Sequence, residues 1–223
     1  MSDKLITERA TGLSYRVRTP AAAKPRGCVV LLHGVGGDET NLAALGEVLA
    51  RDTLVLLPRG PLTLGPGQFG WFRVAFTATG PAIQENEADS SRRVVARFVE
   101  QLQAAHGIAP AQTVIAGFSQ GGIISASVAL SEPERVAGFG LLGGRILPEL
   151  KPHLASRERL HHLRAFVGHG LQDNTLPASW AERSDRWLGE LGVTHETRLY
   201  PGGHAISAPM QVDFVEWVRA RLV

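Results

Sequence analysis

The stretch that decides the fold is Thr113-Val114-Ile115-Ala116, which runs directly into Gly117-Phe118-Ser119-Gln120-Gly121. Its first four residues are β-branched or apolar, which is typical of a buried strand. The next five match the pattern Gly-x-Ser-x-Gly, and the small residues after them predict a closely packed helix. A serine at a tight turn from strand to helix presents its hydroxyl outward, which is the setting of a nucleophile.

The glycines of this turn have a steric reason. Side chains at Gly117 and Gly121 would collide with neighbouring elements, because the turn is strained and its flanks pack closely. The start of the helix behind Ser119 also offers backbone N–H groups and positive potential to a developing oxyanion. The stretch therefore predicts a reactive serine as well as a strand and a helix.

On either side of this stretch, short β-branched runs alternate with helical patterns, which predicts a mostly parallel central sheet with helices on both faces. The expected strands are Cys28–Leu32, Thr53–Leu57, Thr113–Ala116, Val136–Leu142, Arg164–Gly168 and His195–Tyr200, with an antiparallel edge strand near Ser14–Arg18. The expected helices are Asn86–Ala105, Gln120–Leu130, Ala178–Leu191 and Pro209–Leu222. The sequence thus predicts the α/β class, in one domain over residues 1–223.

Two stretches between these elements bear on the site. Roughly 20 residues separate Leu142 from the strand at Arg164, too few for an inserted cap domain. The stretch Pro58–Pro81 is rich in glycine, proline and aromatic residues, and we expect it to be one long irregular but ordered loop.

Composition narrows the partners and the compartment. The net charge is +2 and the basic residues are scattered, so we expect no nucleic-acid partner. Cys28 is the one cysteine, which excludes an internal disulfide, and its place in an apolar strand indicates a buried hydrophobe rather than a reactive thiol. No segment approaches the roughly 20 apolar residues that span a bilayer. With a polar N-terminus and no signal peptide, a cytoplasmic protein is expected.

A serine nucleophile needs a histidine base that a carboxylate orients, in the chain order Ser, acid, His for this topology. His204 lies in a glycine-rich loop between the last predicted strand and the final helix, and Asp173 follows the strand before it. The alternatives are a structural histidine and a helix-capping aspartate. We expect Ser119, His204 and Asp173 to converge.

The N–H groups that would hold an oxyanion are expected from Gln120, directly after the serine, and from Val35 in a glycine-rich loop after the Cys28 strand. A phosphate cradle is the competing interpretation of that loop, but the glycine spacing does not fit one. The adjacent His161 and His162 point apart on a helix or a strand, so no metal is expected.

Taken together, the chain resembles the phospholipase/carboxylesterase family of the α/β-hydrolase superfamily, which includes acyl-protein thioesterases and small bacterial carboxylesterases. The stretches that carry the resemblance span nearly the whole chain: Leu32-His33-Gly34-Val35-Gly36, Trp71-Phe72, Gly117-Phe118-Ser119-Gln120-Gly121-Gly122, His169-Gly170-Leu171-Gln172-Asp173 and Gly203-His204. The resemblance implies the triad Ser119, Asp173 and His204 and the oxyanion donors Val35 and Gln120. It also implies no cofactor, a small or absent lid and broad activity on short-chain acyl esters. Members of the family are often dimers, so a homodimer is among the expected states, although the sequence shows no unambiguous interface.

The substrate pocket is expected along the Pro58–Pro81 stretch, with Phe69, Trp71 and Phe72 as lining residues; packing of these aromatics in the core is the alternative. The family commonly has an acid after the Trp-aromatic pair, whereas this chain has Arg73. That reversal of charge suggests the hypothesis that Arg73 favours an anionic acyl or alcohol group.

The expected function is a serine carboxylesterase that hydrolyses short- to medium-chain acyl esters of small molecules through an acyl-enzyme. Alternatives within the fold are an acyl-protein thioesterase or lysophospholipase, a peptidase and a dienelactone-type hydrolase. Ser119 argues against the last, which normally carries a cysteine there, and no acidic anchor for a peptidase substrate is evident. From another class, a non-catalytic binding protein would predict a broken triad.

Overall fold

The structure, a computed structural model, describes residues 4–21, 24–77 and 80–222. Its strands are β1 (Ile6–Thr7), β2 (Ser14–Arg18), β3 (Gly27–Leu32), β4 (Thr53–Pro58), β5 (Leu62–Gly65), β6 (Gln68–Gly70), β7 (Val74–Thr77), β8 (Gly80–Ile83), β9 (Thr113–Phe118), β10 (Gly138–Leu142), β11 (Arg164–Gly170) and β12 (Thr194–Tyr200). Its α-helices are α1 (Ala43–Glu47), α2 (Glu85–His106), α3 (Gln120–Ser131), α4 (Arg157–Leu160), α5 (Ser179–Leu191) and α6 (Ala208–Arg221).

Eight strands form the central sheet, in the order β1-β2-β4-β3-β9-β10-β11-β12. From β4 to β12 neighbouring strands are parallel, whereas β2 pairs antiparallel with both β1 and β4. The prediction of a mostly parallel sheet is confirmed. The edge position differs from the prediction, because the two-residue β1 covers β2.

Helices cover both faces of this sheet, as the buried runs of its strands predict. Side chains alternate along β3: Val30 and Leu32 pack in the core that α2 and α3 cover, and Val29 and Leu31 face the core that α6 covers. Both faces of β3 are therefore buried, and all twelve residues of α3 are buried as well.

The stretch Pro58–Pro81 is more regular than expected. It contains the antiparallel hairpin β5–β6 and most of a second, β7–β8, so the expectation of one irregular loop is wrong. Gly67, at φ 67°, turns the first hairpin. A register shift between Thr63 and Gly65 interrupts the alternation by which such short strands are recognised in a sequence.

The connection between β10 and β11 is short. It holds a 3₁₀ turn over Pro148–His153 and the single-turn α4. In the described ranges no helix is both long and apolar enough to cross a membrane.

The parallel arrangement determines where a site can form. The carboxyl ends of β3, β9, β10, β11 and β12 meet at one edge of the sheet, the usual place for a ligand in an open parallel sheet. The loops that leave this edge carry His33, Ser119, Arg145, Asp173 and His204.

Candidate active site

Ser119 stands at a strained turn between β9 and α3. Its φ of 52° is the one positive value at a non-glycine position in the described ranges. A Cβ at Gly121 would lie 2.0 Å from the backbone oxygen of Leu32, and one at Gly117 would lie 2.4 Å from the carbonyl carbon of Gly121. Only glycine allows α3 to pack this closely against the sheet, which is the reason inferred from the sequence.

Ser119, His204 and Asp173 lie side by side. Ser119 Oγ is 2.9 Å from His204 Nε2, and His204 Nδ1 is 2.6 Å from Asp173 Oδ2. Both distances are those of direct hydrogen bonds, which is the geometry that a nucleophile, its base and an orienting acid require. Because the carboxylate accepts from Nδ1–H, Nε2 carries the free lone pair, which faces the serine hydroxyl.

The carboxylate of Asp173 is almost completely buried and is fixed on its other side. Its Oδ1 accepts hydrogen bonds from the backbone N–H groups of Thr175 and Leu176, at 2.9 and 2.8 Å. Asp173 therefore closes a local turn several residues before α5 begins at Ser179, rather than capping that helix. The same side chain orders its loop with one oxygen and contacts His204 with the other.

A second histidine stands behind this pair. The ring of His169 is fully buried, and its Nε2 lies 2.7 Å from Leu176 O and 3.3 Å from Asp173 Oδ2. Donation from Nε2–H to the carbonyl holds the loop that carries Asp173. His33 acts similarly, because its Nε2 accepts a hydrogen bond of 2.9 Å from Gly60 N.

The backbone N–H groups near Ser119 differ in whether they have an acceptor within the described part of the chain. The N–H of Gly36 donates to Phe69 O and that of Gly37 donates to Gly34 O. The N–H groups of Val35 and Gln120, in contrast, donate to no acceptor in the described part of the chain. They are the two donors expected to hold an oxyanion, and both residues line the hollow beside Ser119.

The side chain of Gln120 has a role that the sequence did not reveal. Its Oε1 accepts from the backbone N–H of Trp71 at 2.7 Å, and its Nε2 donates to Phe72 O at 2.6 Å. The indole of Trp71 in turn donates to His33 O at 2.9 Å. Through these bonds Trp71 and Gln120 fix the position of the turn at Ser119 relative to the loop that carries Val35.

A cavity of about 290 Å³ opens beside Ser119. Its walls are mainly apolar, and the lining residues are Gly34, Val35, Phe72, Val74, Pro81, Ile83, Phe118, Ser119, Gln120, Ile123, Arg145, Thr175, Leu176 and His204. A second hollow, of about 370 Å³, shares Gly34, Val35, Phe118 and His204 with the first and extends toward Ile206. We call the first the Ser119 cavity and the second the Ile206 groove.

Of the four residues expected to bind substrate, Phe72 lines the Ser119 cavity and the other three do not. Trp71 is fully buried in the core, where its indole N–H finds a carbonyl. Phe69 packs under the guanidinium of Arg59, 4.3 Å from its ring centre. Arg73 is exposed, pairs with Glu87 on α2 and does not line the cavity.

Several lining residues were not expected from the sequence, and Arg145 is the one among them whose side chain carries a charge. It follows Gly143 and Gly144 at the carboxyl end of β10 and is almost completely buried, at 5% exposure. Its position directly after a strand at the ligand edge was a signal that could have been used.

The remaining candidates have structural surroundings. Burial raises the pKa of the Cys28 thiol to about 12, which keeps it protonated and inert. The rings of His161 and His162 each bond to a backbone carbonyl, of Glu158 and Pro133 respectively. Across the described residues, no three or more His, Cys, Asp or Glu side chains are grouped as metal ligands.

Comparison with known proteins agrees with this fold. The model of the Phospholipase/Carboxylesterase family matches residues 15–220. The chain is 27% identical to an acyl-protein thioesterase 1 of Eremothecium gossypii, over 92% of this chain and 93% of that protein. It is 28% identical to the carboxylesterase SOBER1 of Arabidopsis thaliana, over 74% of each. A carboxylesterase of Mesorhizobium loti superimposes with a TM-score of 0.82, at 25% identity, over 97% of this chain and 98% of that one.

The fold is thus that of an α/β-hydrolase, and the protein is a carboxylic ester hydrolase. The chain belongs to the phospholipase/carboxylesterase family.

Proposed function

We propose that the protein is a serine carboxylesterase that cleaves short- to medium-chain acyl esters, with Ser119 as nucleophile, His204 as base and Asp173 as orienting acid. The observation that carries the proposal is the unbroken series of hydrogen bonds from Ser119 Oγ through the His204 ring to Asp173 Oδ2, at 2.9 and 2.6 Å. A serine hydroxyl needs such a base to become nucleophilic at neutral pH.

The first half of the reaction forms an acyl-enzyme. His204 Nε2 takes the hydroxyl proton as Ser119 Oγ attacks the acyl carbon, and Asp173 stabilises the imidazolium that results. The unused N–H groups of Val35 and Gln120 bind the negative oxygen of the tetrahedral intermediate. Losing one such donor typically raises the barrier by about 2.7–4 kcal/mol. His204 then protonates the departing alcohol.

The second half returns the enzyme to its starting state. Water attacks the acyl carbon, gives its proton to His204 Nε2, and displaces Ser119 Oγ, which recovers its proton. Free acid leaves, and the net reaction adds water across the acyl–oxygen bond.

The two hollows support an assignment of the substrate's parts. The Ser119 cavity contains the nucleophile, the Gln120 donor and mostly apolar walls, which suits the acyl chain. The Ile206 groove contains His204 and the residues after it, which suits the alcohol that His204 protonates. At about 290 Å³ the acyl cavity is at the small end of ligand pockets, roughly 300–1,000 Å³, which favours shorter chains.

Thioesters are the second candidate substrate, because a relative over nearly the whole chain is named acyl-protein thioesterase 1. The same residues would serve both reactions. A thiolate leaves more readily than an alkoxide, so thioester cleavage would depend less on protonation by His204.

A panel of 4-nitrophenyl esters and acyl thioesters of graded length tests the proposal. For Ser119→Ala we expect kcat to fall by about 10⁴–10⁶-fold. Ser127→Ala is the matched control: this serine lies in the same helix and bonds Ile123 O within it, so its loss should change kcat by less than about threefold. If Ser119→Ala retains wild-type turnover, the proposed chemistry is wrong.

A further inference from the structure

We infer that Arg145 is a specificity residue that binds a carboxylate at the far end of the acyl chain, so that the preferred substrates are half-esters of short dicarboxylic acids. The inference rests on the proposed function, since it assigns the substrate of the same site. The sequence suggested Arg73 as the residue that binds an anionic substrate, but Arg73 pairs with Glu87 and does not line the cavity. Arg145 does line it, so the hypothesis is transferred to Arg145.

Arg145 is unusual among the buried arginines in its lack of partners. Arg18 donates to three carbonyl oxygens, those of Leu49, Ala50 and Thr53. Arg92 forms ion pairs with Asp89 and Glu132 and a hydrogen bond with Ser131. Arg92 therefore has anionic partners and Arg18 has three carbonyl partners, although Nε of Arg18 bonds to none of the described residues.

The guanidinium of Arg145 makes fewer and weaker contacts than those of Arg18 and Arg92. It lies over the indole of Trp180, 4.4 Å from the ring centre, and makes one long hydrogen bond of 3.4 Å to Pro81 O. In the described ranges it forms no ion pair. A guanidinium has five N–H donors in a planar fork, so most of its bonding capacity is unused.

The charge is also left in an apolar setting. Burial lowers the pKa of Arg145, and the carboxylate of Glu149 opposes that effect only from a distance, without an ion pair. Among the described residues that line the Ser119 cavity there is no carboxylate. A bound anion would add the close ionic partner that the more distant Glu149 does not supply.

The guanidinium and the apolar side chains of the cavity wall indicate which kind of anion would bind. The guanidinium fork binds a carboxylate through two parallel hydrogen bonds. The wall of the same cavity offers apolar side chains, including Phe72, Ile123 and Leu176, which suit methylene groups. A ligand with an ester at one end, a short methylene chain and a carboxylate at the other matches all three features. Hydrolysis adds water across the acyl–oxygen bond and gives a dicarboxylate and an alcohol.

The test compares two esters that share the adipoyl chain and differ in the charge of its far end: the mono-4-nitrophenyl ester of adipic acid and its methyl ester, methyl 4-nitrophenyl adipate. Each kcat/KM is divided by the spontaneous hydrolysis rate, which removes differences in intrinsic reactivity. We expect wild type to favour the anionic ester by roughly tenfold or more, as expected for a charge-assisted hydrogen bond. Wild type that favours the neutral ester, or does not discriminate, overturns the inference without any variant.

Variants then assign the preference to one side chain. Arg145→Met should lower kcat/KM for the anionic ester by roughly 10–100-fold and change the neutral ester by less than about threefold. Arg145→Lys keeps the charge but loses the planar guanidinium, so its kcat/KM for the anionic ester should lie between those of wild type and Arg145→Met. The matched control is Arg73→Met, which removes a nearby cation from outside the cavity and should leave both values unchanged.

The outcomes separate this inference from the proposed function. If Arg145→Met hydrolyses both esters with the wild-type ratio, Arg145 has only a structural role and the serine esterase proposal stands. If wild type hydrolyses neither ester and Ser119→Ala behaves the same way, both proposals fail. If Arg145→Met is insoluble, the wild-type ratio and Arg145→Lys still decide: a lysine variant with an undiminished preference contradicts bidentate binding.

Discussion

Two carboxylates are buried near the carboxyl edge of the sheet, and their partners differ. Glu39 is held by Arg59, with contacts of 2.6 and 3.0 Å, and by Arg16 at 3.1 Å. Asp173 accepts from two neutral backbone N–H groups and from His204. Both are at most 5% exposed, so burial alone does not distinguish them.

The difference lies in what neutralises each charge. Burial of Glu39 disfavours its ionised form, but hydrogen bonds from Arg59 and Arg16 outweigh that cost and lower its pKa to about 2. Its charge is fully taken up by two cations. Asp173 contacts two backbone N–H groups and the rings of His204 and His169, so in the proposed mechanism its charge stabilises an imidazolium at His204. We therefore expect a buried carboxylate to take part in chemistry when its partners can change charge, and to stabilise the fold when they are permanent cations.

The Glu39 cluster still serves the site indirectly. Arg16 belongs to β2 and Arg59 follows β4, whereas Glu39 follows the loop that carries Val35. The cluster therefore ties that loop to the sheet. Its contribution is expected in stability, and that of Asp173 in turnover.

The largest expected effect is that of Asp173→Asn. The asparagine keeps a side-chain oxygen for the N–H groups of Thr175 and Leu176, but loses the charge that orients His204. We expect kcat/KM for a 4-nitrophenyl ester to fall by about 10⁴-fold while the melting temperature changes little.

Asp185→Asn is the matched control, because Asp185 also bonds a histidine, His195 at 3.1 Å, away from the site. Its kcat/KM should stay within about twofold of wild type, as for an ordinary partly exposed pair. Similar losses in the two variants would show that any Asp–His contact supports turnover, which contradicts the account.

A smaller effect is expected from Glu39→Gln, and on a different quantity. Removing the charge leaves Arg16 and Arg59 with a weaker partner, so the free energy of unfolding in urea should fall by about 2 kcal/mol. Turnover should change by less than about threefold. Glu134→Gln, in an exposed pair with Arg159, is the control and should cost at most about 0.5 kcal/mol. A loss of turnover in Glu39→Gln at full stability would reverse the roles of the two carboxylates.

The smallest effect is the pH dependence of the difference in unfolding free energy between wild type and Glu39→Gln. The pKa of Glu39 is lowered from 4.5 to about 2, so its stabilisation is present above about pH 4.5 and is lost as the pH falls toward 2. The gap in unfolding free energy between wild type and Glu39→Gln should therefore narrow from pH 6 to pH 3. A constant gap over that range would mean that the ion pairs do not stabilise the folded state.

The sequence predicted the fold and the positions of Ser119, Asp173 and His204 because chain order determines them. Each residue directly follows a recognisable strand, and parallel strands end at a common edge. The expected bounds of the long strands and helices agree with the structure to within a few residues. Local signals and topology were sufficient there.

The rest depends on contacts between distant segments. The hydrogen bond from Trp71 N to Gln120 Oε1 joins residues 49 positions apart. No local pattern indicates that the glutamine side chain turns toward the segment that holds Trp71. Phe69, Trp71 and Arg73 carry the residue types of a pocket, but the two hairpins between β4 and α2 direct them elsewhere. Arg145 lies soon after a strand at the ligand edge, which was a usable signal, but its burial in the cavity wall shows only once its neighbours are known.

Labelling with a fluorophosphonate tests the central claim most directly, since the probe reacts with a serine only where a base activates it. Intact-mass analysis and peptide mapping should find one adduct, on Ser119, in wild type and none in Ser119→Ala. Asp173→Asn should label far more slowly than Asp185→Asn. Folded wild type that stays unlabelled, or an adduct on a different residue, would contradict the account.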